Sequence, residues 1–442
     1  MSGPKVVRIV TREEILEICR GHLARVDAAL DEWTRTGRRQ DCIDEVALAE
    51  ARQRRDTLAA LIAADRFMDL QKQAPAEEAF LREDMQRRLA AVAAEQAAAR
   101  SRGRREREAA ETLLRTLRAS SSEIGDGLVE GLLRGDPAAL AEGFKLLADC
   151  AQESTAASRE ATARLREAEP ARSFAAWAAG QPSEPGDPAE EAIAARLDAL
   201  MPLTDAEKVA RLRARLDEAV TVDGARRALL LDGLEVETGR LLTQARARAS
   251  ARLELEMTLA ELQAAGMDVE SRRAGLEDLD ETALVVRSTD ARDALDAHRA
   301  AQAAQARRAA VLEGLSGLGY EVTEGMSTTW VADGRLVLRS ATRPDYGVEL
   351  SGAGDAGRMQ MRAVAFEAGG HGPDPSRDLD AETIWCGDVA VLDERLSRIG
   401  GGLKIERALP VGATPLKRIV IETPTDPGAA VAIPTLRTRS LR

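Results

Sequence analysis

The sequence predicts a mainly α-helical protein, with a long helical hairpin or coiled-coil-like region followed by a small C-terminal α+β domain. That domain is predicted to contain an antiparallel sheet and one long helix. Only 2% of the 442 residues are aromatic and 31% are charged, a composition too poor in large flat side chains for an all-β protein. Apolar residues recur at helical spacing up to about residue 315. Beyond it, short apolar runs alternate with glycine-rich turns, which is typical of strands.

The N-terminal region, residues 1–178, begins with a β-prone run at 5–10 and continues as a predicted helix over 11–33. Apolar side chains repeat every seven residues along this helix, the spacing with which two helices pack along a seam. A turn at 36–39 leads into a second predicted helix over 41–73. Because so short a turn makes the two helices antiparallel neighbours, the sequence favours a hairpin within one chain over pairing between chains.

A third predicted helix, over 76–117, contains the densest basic cluster of the chain. Guanidinium groups match the geometry of phosphates, so the cluster is a candidate phosphate contact. The same residues also fit a solvated helix face, because no aromatic residue lies among them to stack on a base. The candidate residues are Arg100, Arg102, Arg104, Arg105 and Arg107.

Prolines and glycines at 179–189 predict a linker, since no helix interior tolerates that composition. A second helical region is predicted over 190–315, with long helices at 223–265 and 290–315. Alanines spaced alternately by three and four residues mark the last helix. Such a stripe permits the close approach of a neighbouring element.

The α+β domain is predicted over 316–421, and a tail over 422–442. Asp333-Gly334 separates two apolar runs, 328–332 and 335–339, and predicts a two-residue hairpin turn between strands. Further predicted elements are strands at 346–350, 358–366 and 403–408 and a helix at 380–399.

One helix can cover only one face of the predicted sheet. The apolar side chains of the hairpin are therefore a candidate partner surface, unless the helix over 290–315 folds back and covers the second face. The candidate interaction residues are Trp330, Val331, Leu336 and Leu338.

Acidic side chains give the one enzyme hypothesis, because the chain contains neither a phosphate-binding loop nor a GxSxG motif. Asp345 and Glu349 lie on the same face of a predicted strand. With Glu367 and His371 they could surround a divalent cation, as in metal-dependent nucleases. The alternative is a set of solvated carboxylates at a strand edge and a loop histidine. Cys386 is expected to be a packed thiol. We therefore expect no catalytic residue, no resident metal and no cofactor.

The net charge of −12 repels nucleic acid on average, although a local basic patch could still bind it. The first thirty residues lack a signal-peptide pattern, and no run approaches the roughly 18 apolar residues of a membrane span. The 4 cysteines form no CxxC pair and fit a reducing compartment. These observations predict a cytoplasmic protein without membrane contact.

Long helices typically set a distance or bring partners together. The leading hypothesis is a non-catalytic scaffold or adaptor subunit of a bacterial multi-protein assembly, with the α+β domain binding the partner. Its partners would be other protein subunits, such as an ATPase or a nuclease, or a second copy of the chain, whereas nucleic acid is not expected. Two alternatives are a metal-dependent nuclease or phosphodiesterase centred on the C-terminal domain, and a nucleic-acid-associated structural protein of a defence system.

Overall fold

The computed structural model describes residues 4–119, 124–151, 187–222, 224–352, 357–367 and 374–420. Most of them are helical and six short strands form one small sheet, so the chain is mainly α with a small α+β part, as predicted. The helices are α1 (Arg12–Arg39), α2 (Glu45–Ala63), α3 (Phe67–Ala119), α4 (Asp126–Leu133), α5 (Pro137–Ala151), α6 (Pro188–Leu200), α7 (Ala206–Val220), α8 (Ala225–Ala264), α9 (Glu270–Arg273), α10 (Glu281–Ser316), α11 (Met326–Asp333) and α12 (Pro375–Arg398). The strands are β1 (Lys5–Val10), β2 (Arg335–Arg339), β3 (Tyr346–Gly352), β4 (Arg358–Glu367), β5 (Gly402–Ala408) and β6 (Lys417–Val420).

Two compact units divide the chain. The first comprises Met1–Glu32, Val46–Leu81 and Ala251–Arg442, and the second comprises Trp33–Glu45 and Arg82–Ser250. The units are therefore interleaved along the sequence rather than consecutive. The predicted tail over 422–442 and most of the predicted linker, residues 179–186, lie outside the described residues.

The repeating apolar face of α1 is buried in the first unit. Cys19 and Val26 share a core with residues of α2 and α3. The predicted helix over 41–73 is wrong, because two helices replace it: Asp65 adopts a left-handed conformation, which aspartate tolerates, and ends α2. The predicted start at residue 76 is also wrong, since α3 runs on through Pro75. Leu70 and Leu81 are buried on either side, and this burial outweighs the hydrogen bond that proline removes.

Two leucine-rich cores stabilise the second unit. In one core, α3 packs against α4 and α5 through Leu113, Leu132 and their neighbours. In the other, α6, α7 and the first part of α8 pack through Leu197, Leu212 and Leu234.

The sheet has the strand order β2-β3-β4-β1-β5, with β6 pairing in parallel beside the last residues of β4. Strand β1 therefore lies between β4 and β5. Lys5 is opposite Met361 on β4 and opposite Ala408 on β5. The predicted range 316–421 for the α+β domain leaves out this strand.

One face of the sheet carries the main core of the first unit. Alternate strand residues such as Ile9 and Leu350 pack there against the end of α10, α11 and α12. The helices contribute Leu315, Trp330 and Trp385, among others. All three helices therefore cover the same face.

The segment predicted as a strand before Asp333-Gly334 is the helix α11, so that prediction is wrong. Gly334 has a φ of 66° and its amide donates to the Trp330 carbonyl, which ends the helix. A glycine with positive φ is favoured both at a helix C-terminus and in a hairpin turn. The Asp-Gly signal alone does not distinguish a helix C-terminus from a hairpin turn. Strand β2 pairs with β3 rather than with the segment before Gly334.

A buried ion cluster joins α1, α3 and α8 within the first unit. Arg25 donates to Glu78 at 3.0 Å, to Glu254 at 3.1 Å and to Glu261 at 3.2 Å, and its side chain is 15% exposed. Burial alone lowers the pKa of Arg25, but its bonds to Glu78 and Glu254 outweigh burial and raise that pKa above its ordinary value. The guanidinium is therefore charged and is shared by three helices.

We expect Arg25→Met to lower the free energy of unfolding by about 3 kcal/mol, because it removes the cation that three largely buried carboxylates share. Urea unfolding followed by circular dichroism measures this change. Arg398→Met is the matched control, since its ion pair with Glu394 is 69% and 68% exposed and is worth less than about 1 kcal/mol. Equal losses in the two variants would contradict the importance of the buried cluster.

Candidate functional site

The candidate site is the face of the sheet that points away from α10, α11 and α12. Successive side chains of a strand point to opposite faces, so strand register shows which residues share this open face. Val337 is opposite Glu349, which is opposite Arg362. These three side chains alternate with core residues and therefore belong to the open face.

The open face is strongly cationic. The six strands contain ten lysines and arginines but three glutamates, in a chain with a net charge of −12. Lys5 and Arg418 point to the helical side, where Lys5 Nζ lies 3.0 Å from Cys386 Sγ and Arg418 pairs with Asp378. The other eight cations form what we call the cationic sheet face: Arg8, Arg335, Arg339, Arg358, Arg362, Lys404, Arg407 and Lys417.

Three of the eight cations have carboxylate partners. Arg362 and Lys417 both contact Glu349, and Arg358 contacts Glu406 at 2.5 Å. Within the described part of the chain, the other five form no ion pair with a carboxylate: Arg8, Arg335, Arg339, Lys404 and Arg407. Five uncompensated cations on one face produce a local positive potential in an otherwise acidic chain.

Glu349 lies on β3 within this face and is 2% exposed. Its Oε1 is 2.6 Å from Lys417 Nζ, and its Oε2 is 2.5 Å from Arg362. Burial raises the pKa of Glu349, but the hydrogen bond from Lys417 and the charge of Arg362 outweigh it, so the pKa lies below its ordinary value. Glu349 is therefore an anion that two cations hold and neutralise.

The structure does not bring the three described metal-site candidates into one group that could hold a metal ion. Asp345, before β3, and Glu367, at the end of β4, are exposed, whereas both oxygens of Glu349 are bound to cations. His371 lies outside the described residues. Across the part of the chain that the structure describes, no group of three or more histidine, cysteine or acidic residues is placed to hold a metal ion.

The candidate interaction residues belong mostly to the core. Trp330, Leu336 and Leu338 are buried against α10 and α12, and Val331 is 55% exposed. Leu336 and Leu338 are two residues apart, so they point to the same covered face rather than to both faces. The helix over 290–315, considered as a cover for the second face, ends on the first face instead.

Two of the five clustered arginines of α3 are held in ion pairs with α6, inside the second unit. Arg100 pairs with Asp198, which also binds Arg213, and Arg104 lies 3.1 Å from Glu191. Arg105 donates to the Ser101 carbonyl, while Arg102 and Arg107 are exposed. The cluster is therefore partly neutralised by the fold.

Sequence reasoning missed the cationic sheet face, although a signal for it exists. The run Arg335–Arg339 alternates cation, leucine, valine, leucine, cation, which places both arginines on the face opposite the leucines. The same alternation places Arg8 on the face of the sheet opposite to the face of Val7 and Ile9. The face can be predicted when cations, and not apolar residues alone, are assigned to one side of the sheet by their alternation along each strand.

No family model matches the chain, and no curated protein or solved structure is significantly similar to it. Among the described helices, none combines the length and the apolar character that crossing a membrane requires.

We expect Glu349→Gln to lower the free energy of unfolding by about 3 kcal/mol at pH 7, because Lys417 and Arg362 lose their shared anion. A lowered pKa contributes stability above the ordinary value of 4.5, and this contribution is lost as the pH falls through the folded-state pKa. The difference between the wild type and the variant should therefore shrink in acid. Urea unfolding at several pH values measures it.

Glu367→Gln is the control for this experiment, since it removes an exposed carboxylate from the same sheet and should change stability by less than about 0.5 kcal/mol. If Glu349→Gln kept wild-type stability at pH 7, Glu349 would not be the neutralised anion that we describe.

Proposed function

We propose that the chain is a non-catalytic, cytoplasmic scaffold or adaptor subunit of a bacterial multi-protein assembly. Its helices provide spacing, and the cationic sheet face docks onto a partner. The observation that carries this proposal is the one-sided sheet: helices cover one face, and the other face presents five cations that have no carboxylate partner among the described residues. A positively charged face suits a partner with complementary negative charge.

The dimensions of the helices support the spacing role. Helix α3 has 53 residues, α8 has 40 and α10 has 36. At about 1.5 Å per residue, α3 alone is about 80 Å long. These helices contain few aromatic side chains and many alanines, leucines and charged residues, which favours helix formation itself over the building of an enclosed pocket.

The chemistry of the titratable groups supports a non-catalytic role. Glu349, the most buried of the acidic candidates, is fully engaged by Lys417 and Arg362. Burial raises the pKa of the Cys19 and Cys42 thiols, which makes both poor nucleophiles at neutral pH.

The docking role predicts a partner that depends on the cationic sheet face. We define the sheet-face variant as Arg335→Gln, Arg339→Gln and Arg407→Gln combined in the tagged full-length chain. Crosslinking in the native cells, followed by mass spectrometry, should recover a partner with the wild type and lose it at least tenfold with this variant. The reason is that three of the five unpaired cations are removed while the core is untouched.

The control is the helix-cluster variant, Arg102→Gln, Arg105→Gln and Arg107→Gln, which changes the net charge by the same amount. It should retain the partner. Loss of the same partner in both variants, or in neither, would contradict docking through the sheet.

A second experiment tests the non-catalytic part of the proposal. Asp345→Asn combined with Glu367→Gln removes the two exposed acidic candidates without disturbing Glu349 and its ion pairs. We expect this double variant to keep wild-type stability and to complement a deletion strain fully, because exposed carboxylates contribute little to folding. A stable, partner-binding double variant that fails to complement would favour the metal-dependent enzyme.

A further inference from the structure

We propose that the cationic sheet face binds single-stranded nucleic acid. The inference rests on the proposed docking role of that face and names its ligand. It concerns a local surface, so it is compatible with the net negative charge of the chain. The acidic remainder repels polyanions and confines them to this face.

The unpaired cations are spread in the way that a chain of phosphates requires. Arg335 and Arg339 lie on β2, at one side of the sheet, and Lys404 and Arg407 lie on β5, at the other. With neighbouring strands about 4.8 Å apart, β2 and β5 are about 19 Å apart. One small anion cannot contact both sides, whereas a polymer with a charge on every unit can. The planar guanidinium groups also match the phosphate geometry.

The face also carries neutral side chains between the cations of β2 and β5. One row of paired positions crosses the whole sheet from Arg335 through Ser351, Gln360 and Val6 to Arg407. The row therefore places a hydroxyl and an amide between two cations. Hydroxyl and amide groups both donate and accept hydrogen bonds, so they suit the exposed edges of unpaired bases.

An aromatic ring lies on the same face. Phe366 covers Gly347, where an added Cβ would lie 2.8 Å from the ring, and the Arg339 guanidinium is 5.1 Å from the ring centroid. The half-buried ring and the guanidinium therefore form a cation–π contact beside the other cations. Bases of single strands stack on such aromatic and guanidinium surfaces.

The competing ligands fit this face less well. A duplex is read by a helix or a two-stranded ribbon that enters its major groove, whereas this face consists of side chains lying on the strands of a sheet. An acidic protein segment would satisfy the cations, but it has no flat bases to stack on Phe366 and Arg339. The combination of spread cations, a neutral row between two of them and an aromatic ring therefore favours the single strand.

Fluorescence anisotropy with the full-length protein tests the inference, using labelled oligothymidylate and oligouridylate of about 12 nucleotides. We expect salt-sensitive binding: five phosphate contacts give a slope of log K against log [salt] of about −3.5, at about 0.7 per contact. In the sheet-face variant we expect at least tenfold weaker binding and a slope smaller by about 2. In the helix-cluster variant the affinity should stay within about twofold of the wild type.

Two further measurements separate a nucleic acid from an acidic partner. Phe366→Leu should weaken binding while leaving the salt slope unchanged, because it removes the stacking surface and no charge. A duplex of the same length and a labelled polyglutamate peptide should bind at least tenfold more weakly than the single strands.

The inference is overturned if the wild type binds neither oligonucleotide at about 50 mM salt, or if the helix-cluster variant loses as much affinity as the sheet-face variant. Tighter binding of polyglutamate, lost in the sheet-face variant, would also overturn it and leave the docking role standing with a protein partner. Conversely, a sheet-face variant that keeps both its cellular partner and its oligonucleotide affinity would remove the docking role and the inference together.

Discussion

The pairing of β1 with both β4 and β5 is the interaction on which the α+β part of the first unit depends. Lys5 is opposite Met361 on one side and Ala408 on the other, so one strand satisfies the main-chain hydrogen bonds of two neighbours. Val7 and Ile9 are fully buried and extend the core beneath α12. Because α1 follows β1 directly and α10 ends in the same core, α1 starts and α10 finishes at one small sheet.

The same strand helps to make the sheet one-sided. Val7 and Ile9 point to the core, and Val6 and Arg8 point to the open face. The end of α10, together with α11 and α12, packs on the core side, where the apolar area is large. On the opposite side Arg8, Lys404 and Arg407 are exposed, as on the solvated face of an antiparallel sheet, whereas Glu349 and Val364 are buried there.

Much of the fold could be predicted because local signals were strong. The helix expected at 223–265 is observed as Ala225–Ala264, and the strand expected at 358–366 is observed as Arg358–Glu367. The alanine stripe of α10 was an incomplete packing signal: of its four alanines, Ala304 is buried and Ala294 half-buried, but Ala297 and Ala301 are exposed. Leu295 is buried on another face. Alanine has little hydrophobic contrast, so its spacing does not show which side of a helix is covered.

The candidate site was harder to predict because it depends on register between distant strands. Parity along β3 places Asp345 and Glu349 on one face, but it does not reveal that Arg362 of β4 and Lys417 of β6 neutralise Glu349. Those partners follow from strand order, which includes a parallel neighbour after a long helix. A carboxylate that appears as a metal ligand in the sequence is therefore a structural anion in the fold.

Secondary structure also explains why the positive charges of the sheet are less neutralised by carboxylates than those of the helices. In a helix, residues three or four apart are neighbours, so a sequence rich in glutamate and arginine neutralises itself, as Arg252 does with Glu256. In a strand, the neighbours on the same face belong to adjacent strands, and pairing depends on cross-strand register. The strands here carry few acids, and Glu349 and Glu406 are already engaged. The cations left over on the described strands must meet water or a negatively charged partner, and this constraint is the physical basis of the proposed docking role.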